Sequence, residues 1–73
     1  AKMTATEAAM SMMKGDVYIV SRPNGHTSYY DVIAAGPSTV TLKLRVKVGE
    51  STPLRRRRDE IPRLFINTDW YDG

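Results

Sequence analysis

Residues 38–63 read STVTLKLRVKVGESTPLRRRRDEIPR, and this stretch decides the fold. Val40, Leu42, Leu44, Val46 and Val48 occupy one parity, and Thr39, Thr41, Lys43, Arg45 and Lys47 occupy the other. Successive side chains of a strand point to opposite faces, so the alternation predicts a strand over 39–48 with one dry face and one basic face. The cations recur at every second residue, roughly 6.8 Å apart on an extended chain. A turn or loop over 49–53 separates them from four consecutive arginines, Arg55, Arg56, Arg57 and Arg58. Adjacent arginines repel one another and often mark a solvated loop or an exposed strand end. Their rigid forks of donors also suit phosphate and carboxylate, and a short turn can bring row and run onto one surface.

Upstream, DVYIVSR over 16–22 reads as a strand apolar on both faces. Pro23-Asn24-Gly25 supplies a turn, because proline presets φ and Asn-Gly accepts positive φ. TSYYDVIAA over 27–35 is the next strand, closed by Gly36-Pro37-Ser38. Within it Tyr30 shares parity with Val32 and belongs to the core, whereas Tyr29 shares parity with Asp31 and faces outward. RLFIN over 63–67 gives a fourth short strand, with Pro62 tolerated at its start or on an edge. Trp70 and Tyr71 are read as anchors of the C-terminal segment to the core.

The chain opens with a helix over about 4–13. Thr4 and Glu7 have capping-box spacing, in which each side chain satisfies an orphan amide of the first turn. Ala5, Ala8, Ala9, Met12 and Met13 follow as one apolar stripe, and Gly15 stands where a left-handed C-cap is wanted. A helix this short is marginal alone and must dock. Its methionines Met10, Met12 and Met13 are the candidate contacts for a partner, since methionine adapts to varied surfaces.

With 73 residues the chain is one small domain, 1–73, that buries only about 60% of its unfolded surface. It has no cysteine, so disulfides, thiolate metal sites and cysteine nucleophiles are excluded, and a cytoplasmic setting is favoured. Glu7 interrupts the apolar N-terminal stretch, so neither a signal peptide nor a membrane span is expected. The net charge of +3 conceals a strong asymmetry, because residues 43–63 carry eight basic and three acidic residues. Such a segment speeds encounter with anionic partners.

Catalysis is not expected. His26 is the sole histidine and sits in a turn, no carboxylate pair has a defensible acid–base spacing, and Gly15, Gly25, Gly36 and Gly49 each stand at a turn rather than in a phosphate loop. Neither a metal nor an organic cofactor is expected.

Lys14-Gly15-Asp16-Val17-Tyr18-Ile19-Val20 resembles the opening strand of SH3-like barrels of the KOW and Tudor types, and Tyr29-Tyr30-Asp31-Val32-Ile33-Ala34 resembles their next strand. This resemblance covers residues 14–48 and implies a small antiparallel sheet or barrel. The leading helix and the four-arginine segment depart from it. In its whole character (small, basic, free of cysteine, with a methionine-bearing first helix and the Arg55–Arg58 cluster) the chain is also similar to small phage-encoded regulators of host RNA polymerase. That resemblance implies contact with the polymerase near its RNA exit channel, inhibition of initiation or antitermination, and location in the host cytoplasm.

The expected fold is α+β and mostly β: one short N-terminal helix and an SH3-like antiparallel sheet or barrel of four to five strands. The expected function is non-enzymatic transcription regulation by a monomer that binds RNA polymerase, with a basic surface of Lys43, Arg45, Lys47, Arg55, Arg56, Arg57, Arg58 and Arg63 facing RNA, DNA or an acidic protein. A stand-alone KOW-like nucleic-acid-binding module and a virion or assembly protein are the alternatives.

Overall fold

The computed structural model describes all of residues 1–73. Its strands are β1 (Lys2–Thr4), β2 (Val17–Ser21), β3 (Thr27–Ala35), β4 (Thr39–Leu44), β5 (Leu54–Arg57) and β6 (Asp69–Asp72), and its helices are α1 (Ala5–Ser11) and α2 (Ile61–Leu64). A 3-10 turn, Arg58–Glu60, leads into α2. All strands join one antiparallel sheet in the order β1-β6-β2-β3-β4-β5. The α+β, mostly-β class is as expected, with six strands rather than four to five. β1 and β5 are free edges, so the sheet is open.

The meander β2–β3–β4 follows from the alternating patterns. Tyr18 and Val20, Tyr30 and Val32, and Val40 and Leu42 all point to one face, which is covered by Ala5, Ala8 and Ala9 of α1, by Met12 just after it and by Ile61 of α2. Trp70 enters from β6, fully buried, and packs edge-on against Tyr18 and Phe65 and stacked over Tyr30. Such ring pairs add about 0.5–1.5 kcal/mol each beyond area burial.

The capping box of α1 forms as read: Glu7 N donates to Thr4 Oγ1 at 3.2 Å and Thr4 N to Glu7 Oε1 at 3.1 Å. The helix ends at Ser11, earlier than 13, and Met12 is already extended. Gly15, with φ of 93°, therefore serves the turn into β2 and not the helix terminus. There Met13 N donates to Asp16 Oδ2 and Asp16 N to Met13 O.

Three expectations are corrected. The third strand stops at Leu44 instead of running to 48, because Ser51 Oγ donates to Leu44 O and folds the chain back; Val46 and Val48 lie exposed in the loop. The segment 63–67 is not a strand. Pro62 sits in the first turn of α2, and Ile61 and Phe65 fall on one side of the coil and are both buried, leaving Leu64 and Ile66 exposed. The arginine run, read as a loop or an exposed strand end and assigned to no strand, forms β5, since Leu54–Arg57 pairs along β4 with Thr41 opposite Arg55 and Thr39 opposite Arg57.

Candidate nucleic-acid interface

Strand pairing divides the predicted basic residues between two faces. Register puts Val40 opposite Arg56 and Leu42 opposite Leu54, so Arg56 shares the inner side with the core residues while Arg55 and Arg57 look outward. Parity within β4 sends Lys43 outward with Arg55 and Arg57. Lys43 lies directly across from Asp31. Arg55 is its diagonal neighbour on β5, about 7–8 Å away by the geometry of antiparallel pairs.

Ion pairs then occupy part of this surface. Arg45 reaches back to Asp31 with both arms, Nε to Oδ2 at 2.9 Å and Nη2 to Oδ1 at 2.8 Å. Hydrogen bonding from Arg45 holds the Asp31 carboxyl below its ordinary range, and the same contact raises Arg45. Arg57 donates to Asp59 Oδ1 at 3.0 Å and lies 3.8 Å from Glu60, which raises its pKa in turn. Lys43 and Arg55 have no carboxylate partner within ion-pair distance on this face. Lys47 lies in the exposed loop after β4, off the strand row it was assigned to, and Arg63 is exposed on α2.

Arg58 stands apart from the run. Its guanidinium turns inward and donates to three backbone carbonyls: Ala9 at 2.6 Å, Met12 at 3.1 Å and Gly36 at 2.8 and 3.1 Å. It ties the C-terminal end of α1 to the β3–β4 turn, and every polar arm is spoken for. Among the methionines, Met12 is 1% exposed and fills the core, so it offers nothing to a partner, while Met10 and Met13 are largely exposed. Met10 borders a groove of about 590 Å³ with Ala9, Pro37 and Pro62 at its walls and Arg57 and Asp59 at its rim.

Beside Tyr29, which parity had placed outward, the outer face carries Ile19, Tyr71 and Lys2, which the pattern did not single out. Ile19, at the centre of the sheet, has Tyr29 opposite it on β3 and Tyr71 opposite it on β6. Tyr71 does not anchor the core as Trp70 does, because neighbours on a strand face opposite ways. Lys2 on β1 extends the row beyond Tyr71, and Arg45 extends it beyond Tyr29, to whose carbonyl its amide donates. The signal for Tyr71 lay in its parity against Trp70. His26 is an exposed turn residue whose amide is held by Asn24 Oδ1.

Compared with known proteins, the chain matches no family model, no curated protein and no solved structure.

Proposed function

We propose that the chain is a non-enzymatic module that binds nucleic acid across the outer face of its sheet. The observation that supports this is the pair of unpaired outward cations, Lys43 on β4 and Arg55 on β5, set beside the balanced Arg45–Asp31 pair. Phosphates are the ligands such an arrangement takes best, since neutralising them releases counterions. Titration of labelled oligonucleotides into the protein at several salt concentrations tests it. Binding should weaken steeply with salt, and Lys43→Gln and Arg55→Gln should each lower the log–log slope by about one unit. Failure of the native protein to bind any oligonucleotide at low salt would refute the reading.

A second reading keeps RNA polymerase as the partner, with nucleic acid presented to this face within the larger complex. Exposed Met10 beside the groove formed with Pro37 and Pro62 favours it, as an apolar anchor whose rim carries Arg57. Capture of purified bacterial RNA polymerase after nuclease treatment, lost in Met10→Asp, is the expected result. Capture that disappears with nuclease alone would leave only the nucleic-acid module.

A further inference from the structure

Four of the six aromatic side chains, Tyr18, Tyr30, Phe65 and Trp70, form one ring cluster in the core. The other two stand on the opposite face, on either side of Ile19. Neighbouring strands lie 4.7–4.9 Å apart, so the Tyr29 and Tyr71 backbones are about 10 Å from each other, with one half-buried isoleucine between. No ring of the core reaches them, and both helices pack on the other face, where the buried residues lie. Tyr29 is 45% exposed and Tyr71 is half-buried.

Resting on the nucleic-acid reading above, we infer that Tyr29 and Tyr71 form a stacking platform for the unpaired bases of a single strand. The charge distribution sets how the strand lies. At the two ends of the aromatic row the cations are balanced, Lys2 by Asp69 at 3.5 Å and Arg45 by Asp31 at 2.8 Å. The cations without partners, Lys43 and Arg55, stand to the β4–β5 side. A single strand therefore enters over β4 and β5, where its phosphates meet Lys43 and Arg55, and crosses the sheet towards β6, laying one base on Tyr29 and a later one on Tyr71. Bases in a duplex are already stacked and paired and cannot reach the rings, so the platform discriminates by strandedness. Stacking accepts every base, which predicts weak sequence preference. An acidic protein segment would use the same cations but would not require aromatic rings on this face.

The test compares short oligo(U) and oligo(dT) with a duplex of equal length, using native protein and variants. Tyr29→Ala and Tyr71→Ala should each weaken single-strand binding roughly tenfold or more while duplex binding changes little. Tyr29→Phe and Tyr71→Phe, which keep the ring, should bind as the native chain does. Oligo(U) carrying 5-iodouridine should photocrosslink to Tyr29 or Tyr71 in the unmodified protein, a readout that needs no folded variant. Native-like binding by both alanine variants, with Lys43→Gln and Arg55→Gln still impaired, overturns the platform and leaves the electrostatic reading standing. Crosslinks confined to other residues overturn it as well. If the native chain binds polyglutamate and no nucleic acid, both readings fall.

Discussion

Arg58 donates from Nη1 to the carbonyl oxygen of Ala9 at 2.6 Å, so the last member of the arginine run caps the first helix. The final carbonyls of a helix lack intrahelical partners and carry the negative end of its dipole, and the last turn of α1 has no basic residue of its own. A cation delivered from across the chain answers both needs. Four neighbouring arginines of identical chemistry thus have different fates, set by which way β5 and the 3-10 turn after it aim each one.

Replacing Arg58 should therefore cost stability and replacing Arg55 should not. Hydrogen bonds from a charged donor are worth about 1.5–3 kcal/mol, and Arg58→Ala abandons several carbonyls together, so a loss of at least that size is expected. Arg55→Ala, exposed and unpaired, should stay within about 0.5 kcal/mol. Urea unfolding followed by far-UV circular dichroism reads both, and equal midpoints for the two variants would contradict the capping role.

The Arg45–Asp31 pair gives the fold an acid-sensitive contact. Because the Asp31 carboxyl titrates lower in the folded chain than in the unfolded one, its contribution is complete above the ordinary carboxylate value of about 4 and is lost as pH falls through the depressed value. Arg45→Met should move the Asp31 titration upward, towards the ordinary range, measured by NMR of the side-chain carboxyl. An unchanged titration in that variant would mean that Arg45 is not the cause.

Trp70 is the keystone of the core. Trp70→Ala removes the largest fully buried side chain and three ring contacts, at about 3–5 kcal/mol, enough to unfold a domain of this size. Trp70→Phe should fold with reduced stability. As the sole tryptophan, Trp70 should emit in the blue-shifted range of a buried indole until the chain unfolds, and solvent-like emission at neutral pH would disprove its burial.

Glu60 guards the free edge of the sheet. The amide of Arg57 points away from β4 and is taken by Glu60 Oε1 at 2.9 Å, while Arg56 Nη1 occupies the outward carbonyl of Arg55 at 2.8 Å. Bare edges invite pairing with a second chain. Glu60→Ala should raise self-association in sedimentation velocity at high protein concentration, and a distribution unchanged from the native chain would show that the charges of β5 suffice.

Much of this fold was legible in sequence because local chemistry and tertiary packing agreed. Thr4 and Glu7 close the capping box, β3 spans 27–35 as its alternation requires, and Tyr29 and Tyr30 divide between the faces as their parity implies. Where pairing decides, the pattern misled. Four arginines alone do not choose between a loop and a strand end, and β5 exists because β4 offers it a ladder. Val46 and Val48 continue the alternation but lie beyond the point where Ser51 turns the chain back. Leu64-Phe65-Ile66 has strand-like composition, yet Ile61 and Phe65 at helical spacing take the buried positions. The basic candidates were legible as residue types. Their division into outward, paired and inward-facing groups required the register.

The position of β6 between β1 and β2 also bears on how the chain is made. During synthesis β2, β3 and β4 emerge and can pair while the slot beside β2 stays vacant and the space for Trp70 stays empty. Completion waits for residues 69–72, which must thread no loop but must close a ladder spanning nearly the whole sequence, from Lys2 to Tyr71. Closing such a distant contact is entropically slow, so this sheet should finish folding only after the ribosome has released those residues. A chain ending before Asp69 should remain unfolded and protease-sensitive, and limited proteolysis of stalled nascent chains of increasing length would reveal protection arriving in one late step.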